Sequence, residues 1–303
     1  MPTPPLSLLV VFYEMGREAP RTLHTLSPGY QRGVTAADYE VIAIDAGSTQ
    51  PLDAGLVASC GPNFRLLRTA AAASPAAAIN AAARTATGDA IALCIDGARM
   101  LSPGIIQLML AALRASDDPL VATLAWHLGP KLQNESVLEG YGQAAEDRLL
   151  DSVDWRRDGY ELFRISCLAA SAAHGWFRPI SESNCLAVRR AAWERLGGLD
   201  ERFRSPGGGL VNLDFYKEAC ERLGQLVILL GEGTFHQFHG GVATNVPLAA
   251  HPWPGFNQEY RAIRGRDFQL PTKPALYLGG LPPQAWPFML ASVHSARPAG
   301  DGS

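Results

Sequence analysis

Charge is scarce in this sequence: only 18% of its 303 residues are Asp, Glu, Lys or Arg, and the formal net charge is -3. Gripping a nucleic-acid backbone takes clustered Lys and Arg, so no nucleic acid is expected as a partner. Paired cysteines are missing as well. The five that occur (Cys60, Cys94, Cys167, Cys185, Cys220) include no C-x-x-C, which excludes a zinc ribbon and a thioredoxin-type motif. Cys94 lies in an apolar run and reads as a small hydrophobe, and the set fits a reducing, cytoplasmic compartment. Long apolar runs are absent too. Leu6 to Tyr13 is strand-length and follows Met1-Pro2-Thr3-Pro4-Pro5, which carries no cation, so neither a signal peptide nor a transmembrane segment is expected. Trp286 to Val293 is apolar enough to dock on a surface; peripheral membrane association therefore stays open beside packing on its own domain. No G-x-G-x-x-G follows the first strand, and no Walker A lysine motif occurs.

What is present is apolar residue, 47% of the chain, which is ample for one large core. It is arranged in alternating strand and helix patterns. Leu6 to Phe12 reads as a strand buried on both faces, followed by a helix within Arg17 to Tyr30. Tyr39 to Ile44 is a second strand, closed by Asp45-Ala46-Gly47-Ser48-Thr49. Phe64 to Arg68 is a third. Ser74-Pro75 opens a helix through Ala86, and Ala90 to Ile95 is a fourth strand with Asp96 at its carboxyl end. Ser102-Pro103 opens a helix through Arg114, before a strand over Leu120 to Trp126. Gly129 to Ala173 is irregular. Order returns with a strand over Asn184 to Val188, helices over Arg190 to Leu196 and Leu213 to Leu223, and a last strand over Leu226 to Leu230. Such alternation predicts an α/β fold with a doubly wound, mostly parallel sheet, whose ligands bind beyond the strand carboxyl ends, where Asp45 and Asp96 both fall.

Three segments in this order carry a resemblance: Ser7 to Phe12 leading to Asp45-Ala46-Gly47-Ser48-Thr49; Asn80, Ala83 and Thr87-Gly88-Asp89 leading to Ile95-Asp96-Gly97-Ala98; and Asn184 to Arg190 leading to Leu196-Gly197-Gly198-Leu199-Asp200-Glu201-Arg202-Phe203. Together they resemble the GT-A fold of family 2 glycosyltransferases over roughly the first four fifths of the chain. The resemblance implies a GT-A domain over residues 1–245, with a Rossmann-like nucleotide-sugar-binding half (1–126) and an acceptor and catalytic half (127–245). Residues 246–303 then form a C-terminal extension. It also implies an inverting transfer of a sugar, of the hexosyltransferase class, from a nucleotide-diphosphate sugar to a glycan or other hydroxyl acceptor. Bacterial polysaccharide or glycoconjugate biosynthesis is the expected setting. No oligomeric state follows from the sequence.

The nucleotide-binding set implied by the resemblance is Phe12, Tyr13, Asp45, Gly47, Ser48, Asn80, Asp96 and Arg99. In it Asp45 accepts from a base N–H, though an Asp also caps its own turn, and Tyr13 and Phe12 stack on the base, a core role for Phe12 being equally open. Asp96 matches the first Asp of the family's metal-binding Asp-x-Asp, whose cation, Mn2+ or Mg2+, neutralises the leaving diphosphate. Ala98 stands where the second Asp belongs, and Arg99 is an alternative neutraliser of phosphate charge. A histidine from Thr234-Phe235-His236-Gln237-Phe238-His239-Gly240-Gly241 is the second expected metal ligand. On an extended segment residues at odd separation point to opposite faces, so His236 and His239 are not expected to share an ion. His239 is preferred, because Gly240-Gly241 permits close approach.

An inverting transfer needs a carboxylate base, which the family places shortly after the Gly-Gly-Leu-Asp-Glu segment. Here that place reads Gly207-Gly208-Gly209-Leu210-Val211-Asn212, without one. Asp214 is the first candidate, with Asp200 and Glu182 behind it; for Asn212 and Asp214 a capping role at a helix start is the plainer alternative. Gly207 to Gly209 reads as a closing loop or a simple turn, and His174-Gly175-Trp176-Phe177 as an aromatic sugar platform or core packing. Two other functions stand against the leading one. A catalytically impaired nucleotide- or glycan-binding module would explain the missing carboxylates. A nucleotidyltransferase would need a Gly-rich, cationic first loop, for which Gly16-Arg17 is meagre.

Overall fold

The computed structural model describes residues 5–296; residues 1–4 and 297–303, the outer ends of the two expected units, lie outside the described residues. The chain runs β1 (Leu6–Phe12), α1 (Ala19–Leu26), β2 (Tyr39–Asp45), α2 (Ala54–Ser59), β3 (Phe64–Arg68), α3 (Ala76–Thr85), β4 (Ala90–Cys94), β5 (Arg99–Leu101), α4 (Ile105–Ala115) and β6 (Pro119–Leu128). It continues through α5 (Gln133–Ser136), α6 (Gln143–Asp151), β7 (Ser166–Leu168), β8 (Cys185–Arg189), α7 (Arg190–Leu196), α8 (Val211–Arg222), β9 (Gln225–His236), α9 (Trp253–Arg264), β10 (Ala275–Gly279) and α10 (Trp286–Ala296). None of the described helices is long and apolar enough to cross a membrane.

These strands form one sheet in the order β10-β9-β6-β8-β4-β1-β2-β3, with β5 on β9 and β7 on β6. β1 is parallel to both β2 and β4, and β9 to β6 and β10, while β8 enters antiparallel between β4 and β6. Alternate residues of β1 explain its apolar run from Leu8 to Phe12. Leu8 and Val10 pack in one core with Leu23 of α1 and Ile106 and Met109 of α4. Leu9 and Val11 pack in another with Ile79 of α3, Trp193 of α7 and Phe215 of α8. Each face of the strand is covered by helix, and its one polar residue, Ser7, is buried with its hydroxyl donating to Glu40 and accepting from Gly88 N.

Register fixes the rim. Phe12 lies opposite Asp45, and Val10 opposite Cys94, so Asp45 and Asp96 leave the sheet at the same edge on either side of β1. Gly97 closes the turn after Asp96 by donating to the Val11 carbonyl at 2.7 Å. A Cβ on Gly97 would stand 2.2 Å from the Phe12 ring, so the close approach requires glycine.

Several sequence expectations shift. β5, β7 and β10 were not expected, and β9 runs for twelve residues, out to His236. Gly233 lets it continue, because the Trp126 ring covers the spot where a Cβ would be, at a register shift between β6 and β9. α1 is confined to Ala19–Leu26. α8 starts at Val211, so Asn212 sits in its first turn instead of capping it. Trp176 is fully buried, 5.6 Å from the Trp126 ring, with its indole N–H on the Leu229 carbonyl; it is core and not a sugar platform. Gly207, Gly208 and Gly209 all have positive φ, and Gly207 donates to the Ala73 carbonyl, so this loop is docked in a conformation that favours glycine. Beyond residue 245, β10 extends the central sheet, Tyr260 of α9 packs on Phe203, and Phe288 of α10 packs edge-on against Trp126.

Candidate functional site

Asp96 sits in the tight turn after β4, where its Oδ1 accepts the Ala98 N–H at 2.8 Å. That leaves Oδ2 facing outward from the turn, 3.0 Å from His236 Nε2, 3.7 Å from His239 Nε2 and 3.9 Å from Arg99 Nε. One ligand atom from each of Asp96, His236 and His239 falls within 4.8 Å of the others. The expectation that the two histidines diverge is therefore corrected. Alternation holds only while the strand lasts, and β9 ends at His236. Gln237 N then bonds the Ala98 carbonyl at 2.8 Å and Phe238 N bonds Glu146 Oε2 at 2.6 Å, turning the chain so that His239 comes back beside His236.

The protonation of His236 follows from its neighbours. Its Nδ1 lies 2.7 Å from the Gln133 amide oxygen, which can only accept, so Nδ1 carries the hydrogen. Burial, with Arg99 adding to it, pushes His236 down to about 4 against the opposing pull of Asp96, so the ring is neutral near pH 7. Nε2 then turns a bare lone pair on a carboxylate oxygen. Burial alone would raise the Asp96 carboxyl, but the charges of His239 and Arg99 hold it well below the usual range, so that oxygen is anionic. Two acceptors at 3.0 Å with no proton between them repel, and a cation between them satisfies both. One carboxylate oxygen and two imidazole nitrogens are a donor set that suits Mn2+, the nitrogens standing in for what Ala98 lacks.

Arg99 is paired in register with His236 and is buried, yet its Nε and Nη1 have no hydrogen-bond partner among the described residues. A buried guanidinium with free N–H groups is a position for an anion. Just before β8, Asn184 Oδ1 and, on α8, Asn212 Oδ1 are buried acceptors that likewise lack a partner among the described residues. The carbonyl of Asn184 takes the Ile95 N–H at 3.1 Å, which sets this pair beside the Asp96 turn.

The other expected nucleotide contacts divide. Asp45 is only 2% exposed; its Oδ1 accepts from Ser48 N at 3.0 Å and its Oδ2 from Leu52 N at 2.9 Å, so it shapes its own loop. Gly47 has φ +82, and a Cβ there would stand 2.3 Å from Ala71 N. Ser48 Oγ accepts from Glu14 N, and Glu14 Oε1 accepts from Thr49 N, which laces the β1 and β2 end loops together. Tyr13, 51% exposed, presents its ring on this rim, whereas Phe12 is buried beneath Gly97 and cannot stack on a base. Asn80 commits its amide to both backbone groups of Leu199 and to Glu201, bracing the loop after α7.

The candidate bases also divide. Asp214, the first choice from the sequence, is buried and held by both Nε and Nη2 of Arg264. Asp200 meets Arg202 and Arg264, and the Arg202 hydrogen bonds draw its carboxyl down to about 2. Both line a pocket of about 490 Å³ with Asn80, Arg202, Arg222 and Arg264, and that pocket does not include Asp96. The half-buried Glu182 instead accepts from a neutral partner, Asn212 Nδ2, at 2.6 Å. It stands two residues before Asn184, on the chain that runs beside the Asp96 turn.

Sequence reasoning missed His236 as a partner of His239, and it missed Gln133, Asn245 and Glu146 altogether. Gln133 and Glu146 come from the irregular stretch after β6, and their contacts span about a hundred residues or more of chain in most cases; no local pattern marks them.

Residues 7–154 match the family described as Glycosyl transferase family 2. No curated protein matches the chain by sequence. Among solved structures, S. aureus TarS 1-349 in complex with UDP is similar with a TM-score of 0.51 at 12% identity, over 76% of this chain and 59% of that one. S. aureus TarS 1-349 in complex with UDP-GlcNAc gives a TM-score of 0.49 at 13% identity, over 77% and 58%. The chain thus spans less than two thirds of the length of these structures. The fold is the mixed α/β GT-A fold.

Proposed function

We propose that this protein, whose residues 7–154 match glycosyl transferase family 2, is an inverting glycosyltransferase, moving a sugar from a nucleotide-diphosphate donor to a hydroxyl of a glycan or other acceptor. One observation carries the reading. Asp96, His236 and His239 converge at the carboxyl rim of a GT-A sheet, next to the unpartnered guanidinium of Arg99.

Asp96, His236 and His239 would hold a divalent cation, Mn2+ or Mg2+, which supplies charge neutralisation to a diphosphate leaving group. Arg99 binds the diphosphate oxygens with its free Nε and Nη1, satisfying a cation that is otherwise costly to bury. Tyr13 stacks on the nucleotide base from its exposed place on the rim. Asp45 holds the Ser48 turn beneath it, with lone pairs left for a base N–H. Asn184 and Asn212 offer their unpartnered oxygens to sugar hydroxyls.

Glu182 is the general base in this account, in place of Asp214. It takes the acceptor hydroxyl proton as that oxygen attacks the anomeric carbon, while the carbon–oxygen bond to the diphosphate breaks and its electrons leave with the diphosphate. The preference rests on electrostatics. A carboxylate locked to a guanidinium is a poor proton acceptor, and Asp200 and Asp214 are so locked, whereas Glu182 faces an amide. The two expected units remain part of the proposal: a GT-A domain whose residues 1–126 serve the donor and 127–245 the acceptor, and an extension, residues 246–303, whose β10 and α9 buttress it.

The test is donor turnover across a panel of nucleotide sugars, beginning with UDP sugars, with and without Mn2+. Release of the nucleoside diphosphate from at least one donor, dependent on the cation, is expected. Absence of both turnover and thermal stabilisation with every nucleotide would refute the reading; stabilisation without transfer to any acceptor would favour a binding module.

A further inference from the structure

The two histidines owe their orientation to a pair of buried amides on other elements. Gln133, fully buried at the start of α5, donates through Nε2 to the His236 carbonyl at 3.0 Å and more weakly to the Leu128 carbonyl at 3.4 Å. Those two carbonyls can only accept, so they fix which end of the amide is nitrogen. The opposite end, Oε1, is thereby aimed at His236 Nδ1 at 2.7 Å, and it also accepts from Asn245 Nδ2 at 2.8 Å. Asn245 in turn gathers three backbone N–H groups on its own Oδ1, those of His239, Gly240 and Gly241, at 3.0, 3.0 and 3.1 Å. Every hydrogen bond in this chain has one allowed direction, and together they run from the carbonyls of two β-strands to the loop that carries His239.

We propose that Gln133 and Asn245 are positioning residues: Gln133 locks His236 in the Nδ1–H tautomer, and Asn245 clamps the His239-Gly240-Gly241 backbone, so that both imidazoles present Nε2 to Asp96. The use of that arrangement for a cation rests on the function proposed above; the tautomer and the clamp do not. Without the Gln133 oxygen, His236 moves its hydrogen to Nε2 and donates it to Asp96, a good hydrogen bond that closes the site. Without Asn245, the three N–H groups lose their shared acceptor and His239 is released, while His236 keeps its tautomer. Hydrogen-bond partners of this kind are worth about 10- to 100-fold in metal affinity.

Two readouts on the full chain, free of nucleotide, test this: histidine tautomers by NMR on isotopically labelled, metal-free protein near neutral pH, and Mn2+ affinity by electron paramagnetic resonance. Wild-type His236 is expected as Nδ1–H. Gln133→Leu is expected to switch it to Nε2–H and weaken Mn2+ about 10- to 100-fold. Asn245→Ala is expected to weaken Mn2+ with the tautomer unchanged. Wild-type His236 found as Nε2–H or doubly protonated would overturn the proposal, and that spectrum decides it even if a variant does not fold. So would a folded Gln133→Leu with tautomer and affinity unaltered. The expected tautomer pattern in a protein that binds no Mn2+ would uphold the positioning role and instead refute the cation site.

Discussion

Two acidic clusters on the loops of this fold are built in opposite ways. Around Asp96 the carboxylate faces two imidazoles at 3.0 and 3.7 Å, with the nearest Arg99 nitrogen farther off at 3.9 Å; around Asp200 and Asp214 the carboxylates are hydrogen-bonded to the guanidinium groups of Arg202 and Arg264. The second cluster is electrostatically closed: its charges are met within the protein and its geometry is held by hydrogen bonds in fixed directions. The first leaves the Asp96 Oδ2 and the His236 Nε2 facing each other as acceptors, an arrangement that suits a cation. A count of carboxylates near a catalytic loop therefore misleads, and what distinguishes a site from a brace is whether each charge already has its partner.

The contrast can be broken by substitution. The largest expected effect is Asp96→Ala, which removes the only anion of the open cluster; Mn2+ affinity and donor turnover should each fall by more than about 100-fold, read by titration and by nucleoside diphosphate release. Glu182→Gln should lower kcat by about 100- to 10,000-fold with donor KM unchanged, whereas Asp214→Asn should cost less than about tenfold in kcat. The reverse ranking would return the catalytic role to Asp214. On the closed side, Arg264→Leu leaves the buried Asp214 charge without its partner and should destabilise the fold by about 3 kcal/mol, seen as a lowered Tm, with Mn2+ affinity unaltered.

The smallest effect is a pH dependence. The Asp200 carboxyl is lowered from 3.8 to about 2, chiefly by Arg202 with Arg264 assisting. A folded value below the unfolded one means that the contribution is present above about pH 4 and is lost as pH falls through about 2. Asp200→Asn should therefore cost about 1 kcal/mol or less at pH 6, since Arg202 is largely exposed, and the difference from wild type should vanish near pH 2.

Sequence reasoning reached the first strands of the fold because they are built from local patterns. Apolar strands and an Asp at each strand end are readable one segment at a time, and register then brings Asp45 and Asp96 to one edge. It failed where the physics is long-range. Nothing near Asp214 announces Arg264, fifty residues later, and a strand-alternation rule separates His236 from His239 because it cannot see Phe238 turning on Glu146. The late elements β10 and α9 were hidden in Pro-rich sequence whose strand pairs only with an edge already formed.

The open cluster is tested most directly by the pulsed electron paramagnetic resonance of Mn2+ bound to protein carrying isotopically labelled histidine, with UDP present. Couplings from two imidazole nitrogens are expected, one disappearing in His236→Ala and the other in His239→Ala, and neither in Arg264→Leu. A bound Mn2+ that shows oxygen ligands alone, or nitrogen couplings indifferent to both histidine substitutions, would contradict the account.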